Sequence, residues 1–123
     1  MMKVVSTEKA PAAIGPYSQG IVTGGLVFVS GQTPIDPQTG KFEEDITAQA
    51  EQSCRNVGEI LKAAGSGFEK VVKTTCFLAD IQDFKAFNEV YAKYFVSKPA
   101  RSCVAVKDLP LGVGCDIEAV AEV

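Results

Sequence analysis

"KPARSCVAVKDLPLGVGCDIEAVAEV", residues 98–123, holds two runs of β-forming residues, Ser102–Val106 and Cys115–Val123, joined by "KDLPLGVG". Whether these runs pair with each other decides the topology of the chain. Read locally, successive strands with a modest connection fold into a hairpin. The connection is also long enough to cross a neighbouring strand and deliver the last run elsewhere. The stretch raises a second question, because Arg101, one of only two arginines, opens what reads as a buried strand.

Upstream, Lys3–Ser6 reads as a short first strand, and "APAAIGPY" (Ala10–Tyr17), with its prolines and glycine, as a loop. Gly20–Thr23 and Leu26–Ser30 flank Gly24-Gly25, a pair suited to a two-residue hairpin turn because glycine tolerates positive φ. "GQTPIDPQTGK" breaks the pattern. Asp45 is placed to cap a helix. Ile46, Ala50, Cys54, Val57, Leu61 and Ala64 then form an apolar stripe at helical spacing, with Gly65 as its stop. Val71–Ala79 has the β-branched and aromatic content of a strand. Asp83 starts a second helix, with Phe84, Phe87, Tyr91 and Phe95 facing inward, and Pro99 ends it. The order β-β-β-α-β-α-β-β predicts an α+β fold, a sheet with two helices on one face.

At 123 residues, 46% hydrophobic and 22% charged, the chain reads as one domain, 1–123, with an ordinary core. A net charge of −3 argues against general nucleic-acid binding. No apolar run approaches the ~20 residues of a membrane span. "MMKVVSTEKA" lacks the apolar core of a signal peptide, so the expected compartment is the cytoplasm. Cys54, Cys76, Cys103 and Cys115 form no CxxC pair and read as free thiols. The chain has no histidine. That removes Ser-His-Asp and Cys-His catalysis, the commonest zinc sites and the usual base near neutral pH.

Arg101 offers a planar fork to a carboxylate and needs an anion if desolvated. It is a candidate substrate clamp, an ion-pair partner of Glu118 or Asp116, or a solvated strand end. Arg55 lies beside the apolar stripe of the first helix and reads as solvated. Glu118 alternates with Ile117 onto the opposite face, as a water-positioning base or a plain solvent-facing residue. Asp116 and Glu122 share its face and carry no further signal. Tyr17 is a gate or an aromatic at the core edge. Ser30-Gly31 closes a strand where N–H groups could bind an anion. Asn88 sits near the apolar stripe of the second helix, lining a cleft or satisfying local backbone. Cys103 reads as a small buried hydrophobe, with nothing basic placed to activate its thiol.

"GPYSQG" (15–20), "VFVSGQTPID" (27–36), "FNEVYAKYF" (87–95), "PARSCVAVKDLPLG" (99–112) and "IEAVA" (117–121) together resemble the Rid family, the YjgF-like reactive-intermediate imine deaminases. The resemblance runs nearly end to end. It implies a chorismate-mutase-like fold, a homotrimer with clefts between subunits, and a final strand lying between earlier strands, which overrules the hairpin. It also implies hydrolysis of 2-imino acids, such as 2-iminopropanoate and 2-iminobutanoate, to 2-keto acids and ammonia. Such imines arise when pyridoxal-phosphate enzymes dehydrate serine or threonine.

Carried over residue by residue, the resemblance has Arg101 bind the substrate carboxylate. Glu118 and the backbone carbonyl of Cys103 hold the attacking water, and Tyr17, Ser30, Gly31 and Asn88 line the cleft. No metal or cofactor of the protein's own is called for, nor any membrane. Other readings of the same residues are a trimeric module that binds keto acids or other carboxylates as a signal, an endoribonuclease, and a chaperone-like role.

Overall fold

The C-terminal strand goes into the middle of the sheet. The computed structural model describes residues 1–123. Its strands are β1 (Lys3–Val5), β2 (Gly20–Thr23), β3 (Leu26–Gln32), β4 (Val71–Leu78), β5 (Ala100–Ala105) and β6 (Cys115–Glu122), and its α-helices are α1 (Ile46–Ala63) and α2 (Phe84–Tyr94). The six strands form one mixed sheet in the order β1-β2-β3-β6-β4-β5. β6 is antiparallel to both its neighbours, whereas β5 pairs with β4 alone, in parallel.

The local hairpin between β5 and β6 therefore does not form, and the placement implied by the family resemblance holds. The physical reason lies in the two strands. Along β6, Cys115, Ile117, Ala119 and Ala121 are all at most 3% exposed, a row that only a central position buries. β5 has no fully buried residue and suits an edge. The 107–114 connection steps the chain past β4, turning through positive φ at Leu111 (59°) and Gly112 (74°).

Local chemistry sets the remaining elements as the residues predict. Gly24 and Gly25 take φ of 58° and 78° in the β2–β3 turn. Asp45 caps α1 by accepting the Ala48 N–H at 3.0 Å. Ala50, Cys54, Val57 and Leu61 of α1 are fully buried, packed with Phe87, Tyr91 and Phe95 in one cluster that covers one face of the sheet. Phe84 departs from expectation: it is 37% exposed, because the first turn of α2 stands beside the edge strand and not over the core. No helix is long and apolar enough to cross a membrane.

No element covers the second face. Ile21, Phe28 and Val120 stand in register across β2, β3 and β6, and Phe77 pairs with Val104 across β4 and β5. Phe28 and Val104 are each 44% exposed. This apolar, open face borders the segment 7–19, which Gln19 holds in place. Its amide is 4% exposed, accepts the Thr7 N–H at 2.7 Å and donates to the carbonyls of Thr7 (3.0 Å) and Pro11 (2.8 Å). Gln19→Ala leaves these groups unpaired and should cost on the order of 2 kcal/mol. Urea unfolding is expected to show a lower midpoint with faster hydrogen exchange at Thr7; an unchanged midpoint would mean that the segment is held by something else.

Candidate active site

Arg101 lies on edge strand β5, opposite Thr74 of β4. Thr74 is fully buried against α2, its hydroxyl 2.6 Å from the Tyr91 hydroxyl, so Arg101 points to the helix side of the sheet. Its Nη1 donates to Asn88 Oδ1 at 2.7 Å. Its guanidinium carbon sits 4.6 Å from the centre of the Tyr91 ring and 5.6 Å from that of Phe84. These rings stabilise a cation without neutralising it. The chain's ion pairs join Glu51 to Arg55 and Lys93, and none involves Arg101. Arg101 is therefore neither paired with Glu118 or Asp116 nor freely solvated. Asn88 turns its oxygen to the guanidinium and not to backbone. Arg101 also lines a cavity of about 430 Å³, together with Lys98 and Pro99.

Cys103 lies two residues on, on the same side, opposite buried Cys76. Val106 donates its N–H to the Leu78 carbonyl. Because backbone direction alternates along a strand, the N–H and C=O of Cys103 point the other way, out of the free edge of the sheet. Burial pushes the Cys103 thiol up, and Arg101 offsets this only in part.

Glu118 belongs to the other face. It pairs with Thr75 and alternates with buried Ile117 and Ala119. Here Tyr17, Ser30, Gly31, Leu111, Asp116 and Glu118 line a cleft of about 800 Å³. β3 shifts register against β6 between Val29 and Gln32, a bulge that places Ser30-Gly31 beside Glu118. The Ser30 N–H is not free for an anion, since it donates to the Gln19 carbonyl at 2.9 Å. Its hydroxyl donates to the Ser18 carbonyl at 2.6 Å, so Ser30 ties down the segment that carries Tyr17. Tyr17 itself is 54% exposed over the cleft.

Asp116 departs from the sequence reading, which offered it only as an ion-pair partner of Arg101 or as a plain residue of the Glu118 face. Its Oδ1 is buried without a hydrogen-bond partner. A Cβ added to Gly31 would lie 2.7 Å from that oxygen, so a larger residue there would have to displace the Asp116 carboxylate. Burial, and next the negative charge of Glu118, push its carboxyl up to about 6. The sequence signal was present, an acid two residues before Glu118 on one strand face, but the bulge that closes over it is not visible in residue spacing.

The expected site residues thus form two groups. Arg101, Asn88 and Cys103 occupy the helix side and edge at β5, while Glu118, Tyr17, Ser30 and Gly31 occupy the open side at β3 and β6. The sheet itself separates them within one chain. No three His, Cys, Asp or Glu side chains converge as a metal site would require.

Residues 7–123 match the family model for Endoribonuclease L-PSP. Reactive Intermediate Deaminase A, chloroplastic, of Arabidopsis thaliana is 55% identical over 97% of the chain, which spans 65% of that longer relative. The 2-iminobutanoate/2-iminopropanoate deaminase of Salmonella typhimurium is 50% identical over 98% of both chains. Among solved structures, that of E. coli TdcF with bound serine superposes with a TM-score of 0.95 at 45% identity, covering 98% of each chain.

The thiols supply a test of the site chemistry. Cys76 and Cys115 are pushed up to about 12 by burial, and Cys54 is also raised by burial. At pH 7.5 none of the four cysteines should exist as a reactive thiolate. Iodoacetamide is expected to leave the folded protein almost unlabelled and to modify all four after denaturation. Rapid native labelling confined to Cys103 would make its sulfur, and not its backbone, the functional group.

Proposed function

The chain belongs to the Endoribonuclease L-PSP family, the YjgF/Rid group, and on that premise we propose that it is a hydrolytic deaminase of 2-imino acids. It converts 2-iminopropanoate and 2-iminobutanoate to the corresponding 2-keto acids and ammonia, in the cytoplasm, removing by-products of pyridoxal-phosphate dehydratases. The observation that carries the residue assignment is Arg101: half-buried, held by Asn88, and without a carboxylate of its own chain. The α-carboxylate of the substrate is the missing anion. Serine, the ligand named with E. coli TdcF, carries the same group.

The 123 residues act as one Rid-type domain, and three copies assemble as a chorismate-mutase-like trimer with sites at the seams. The division of the candidate residues between two sides of the sheet supports this reading, as does the uncovered apolar face. One copy supplies Arg101, Asn88 and the Cys103 carbonyl; its neighbour supplies Glu118, Tyr17, Ser30 and Gly31.

The chemistry follows from these groups. Arg101 grips the carboxylate with a two-point fork and so fixes the adjacent imine carbon in position and orientation. A water held between Glu118 and the Cys103 carbonyl adds to that carbon of the N-protonated imine as Glu118 takes its proton, giving a neutral carbinolamine. Glu118 returns the proton to the amine nitrogen. The C–N bond then breaks as the carbinol hydroxyl loses its proton to Glu118, and the departing ammonia leaves as ammonium with that proton. Water is consumed, the carboxylate is regenerated and all protons balance. An imine is already electrophilic, so a carboxylate base suffices where no histidine exists.

RNA cleavage, the activity in the family description, finds less support. The chain carries −3, and the cleft at Glu118 contains two carboxylates and no lysine or arginine.

Imine generated by a dehydratase, with its decay followed with and without this protein, tests the proposal. Arg101→Lys should lose on the order of a hundredfold in kcat/KM, since one ammonium does not reproduce the fork. Near-normal turnover would remove the two-point clamp from the account. Glu118→Gln should still bind carboxylates but turn over on the order of a hundredfold or more slowly; lost binding would make Glu118 structural. Cys103→Ala should keep most activity, and an inactive variant with unchanged folding and assembly would refute the backbone role.

A further inference from the structure

The proposed reaction uses Glu118 and leaves Asp116 idle, yet Asp116 occupies the more unusual position. It lines the same cleft, on the same strand face, with Oδ1 buried, unpaired and pressed under Gly31. No basic side chain lines that cleft. Two carboxylates therefore stand on one wall without a counter-charge of their own.

We propose that Asp116 is a specificity-determining residue: with Glu118 it makes this wall doubly acidic, so that the cleft takes a 2-imino acid as its N-protonated zwitterion and disfavours the keto acid formed from it. The inference rests on the deaminase reading and on Arg101 forming the facing wall. A ligand that matches such a cleft carries its carboxylate toward the guanidinium and a positive nitrogen toward the acids. The iminium form of the substrate has that layout, and it is also the more electrophilic form. Hydrolysis replaces the positive nitrogen by a neutral carbonyl whose lone pairs face two carboxylates. The charge match that favours substrate thus turns against product, which aids its release.

Within its own chain the groups around Asp116 leave its charge uncompensated, and the one cation set to face it is Arg101 of the neighbouring copy, which the substrate carboxylate answers. Glu118 shares its strand face, Cys115 precedes it on the core face with a raised thiol, and Tyr17 comes from the segment before β2. β3 presents Gly31, β4 presents Phe77, and the loop before β6 presents Leu111. With its carboxyl pushed up to about 6, mainly by burial, Asp116 is negative at pH 7.5 and mostly neutral at pH 5.

Alanine and pyruvate share a three-carbon skeleton and differ at C2 by an ammonium against a keto oxygen. Calorimetric titration of both into the wild type and Asp116→Asn, in buffers free of carboxylate, separates charge from shape. The variant is expected to bind pyruvate more tightly and alanine more weakly, moving the ratio of their affinities on the order of tenfold. Lowering the wild type from pH 7.5 to pH 5 should move the ratio in the same direction; this arm stands even where the variant folds poorly. Equal weakening of both ligands, or an unmoved ratio in a wild type that hydrolyses imine, overturns this inference alone. A wild type that binds neither ligand and leaves the imine decaying at its rate in buffer overturns the deaminase reading with it.

Discussion

A guanidinium drawn partly out of water needs its charge answered by an anion or stabilised by polarisable and polar groups. In this chain Arg101 has the second kind of support without the first: the Tyr91 ring at 4.6 Å, Phe84 at its margin, and one oxygen from Asn88. Tyr91 is in turn fixed by the Thr74 hydroxyl from the neighbouring strand. The cation is thus oriented and left unneutralised, which suits a site that admits a small carboxylate and releases another. Had an acidic side chain of the same strand pair closed on it, the fork would be occupied and the cleft chemically silent.

The central position of β6 gives this arrangement its geometry. Its buried row anchors the sheet between β3 and β4, and the same alternation throws Asp116 and Glu118 to the uncovered face. β5 is displaced to the edge, where Arg101 points toward α2 and the Cys103 carbonyl points out of the sheet. Acid and cation therefore lie on opposite sides of one layer. On the proposed roles, a site containing both draws on a second copy, and the apolar residues of the open face provide a reason for one to dock.

Much of this was legible in residue order. The Gly24-Gly25 turn, the Asp45 cap and the stripe of α1 follow from local backbone and packing rules, which act over a few residues. The partner of β6 was not legible locally, because strand pairing at long range depends on which row of side chains most needs burial. Phe84 read as core from its spacing, yet the spacing does not reveal that α2 overhangs an edge strand. Ser30 and Asp116 were misread for a shared reason. The bulge at Ser30-Gly31 spends the Ser30 N–H on Gln19 and lowers Gly31 onto the aspartate, and a bulge leaves no signature in hydrophobic alternation. The roles of Arg101, Glu118 and Cys103 came from family resemblance; residue chemistry alone left each of them with an ordinary structural alternative.

The claim on which the account turns is that Arg101 and Glu118 meet only across two copies of the chain. Subunit mixing tests it directly. Arg101→Ala and Glu118→Gln, each inactive alone, are unfolded together in equal amounts, refolded, and assayed for imine hydrolysis. If each seam draws its two walls from different copies, random assembly rebuilds about a quarter of the sites with both groups intact, and activity returns to about that fraction of the wild type. Mixtures as inactive as their parents, from subunits shown to exchange, would place both groups in one chain's own site and contradict the account.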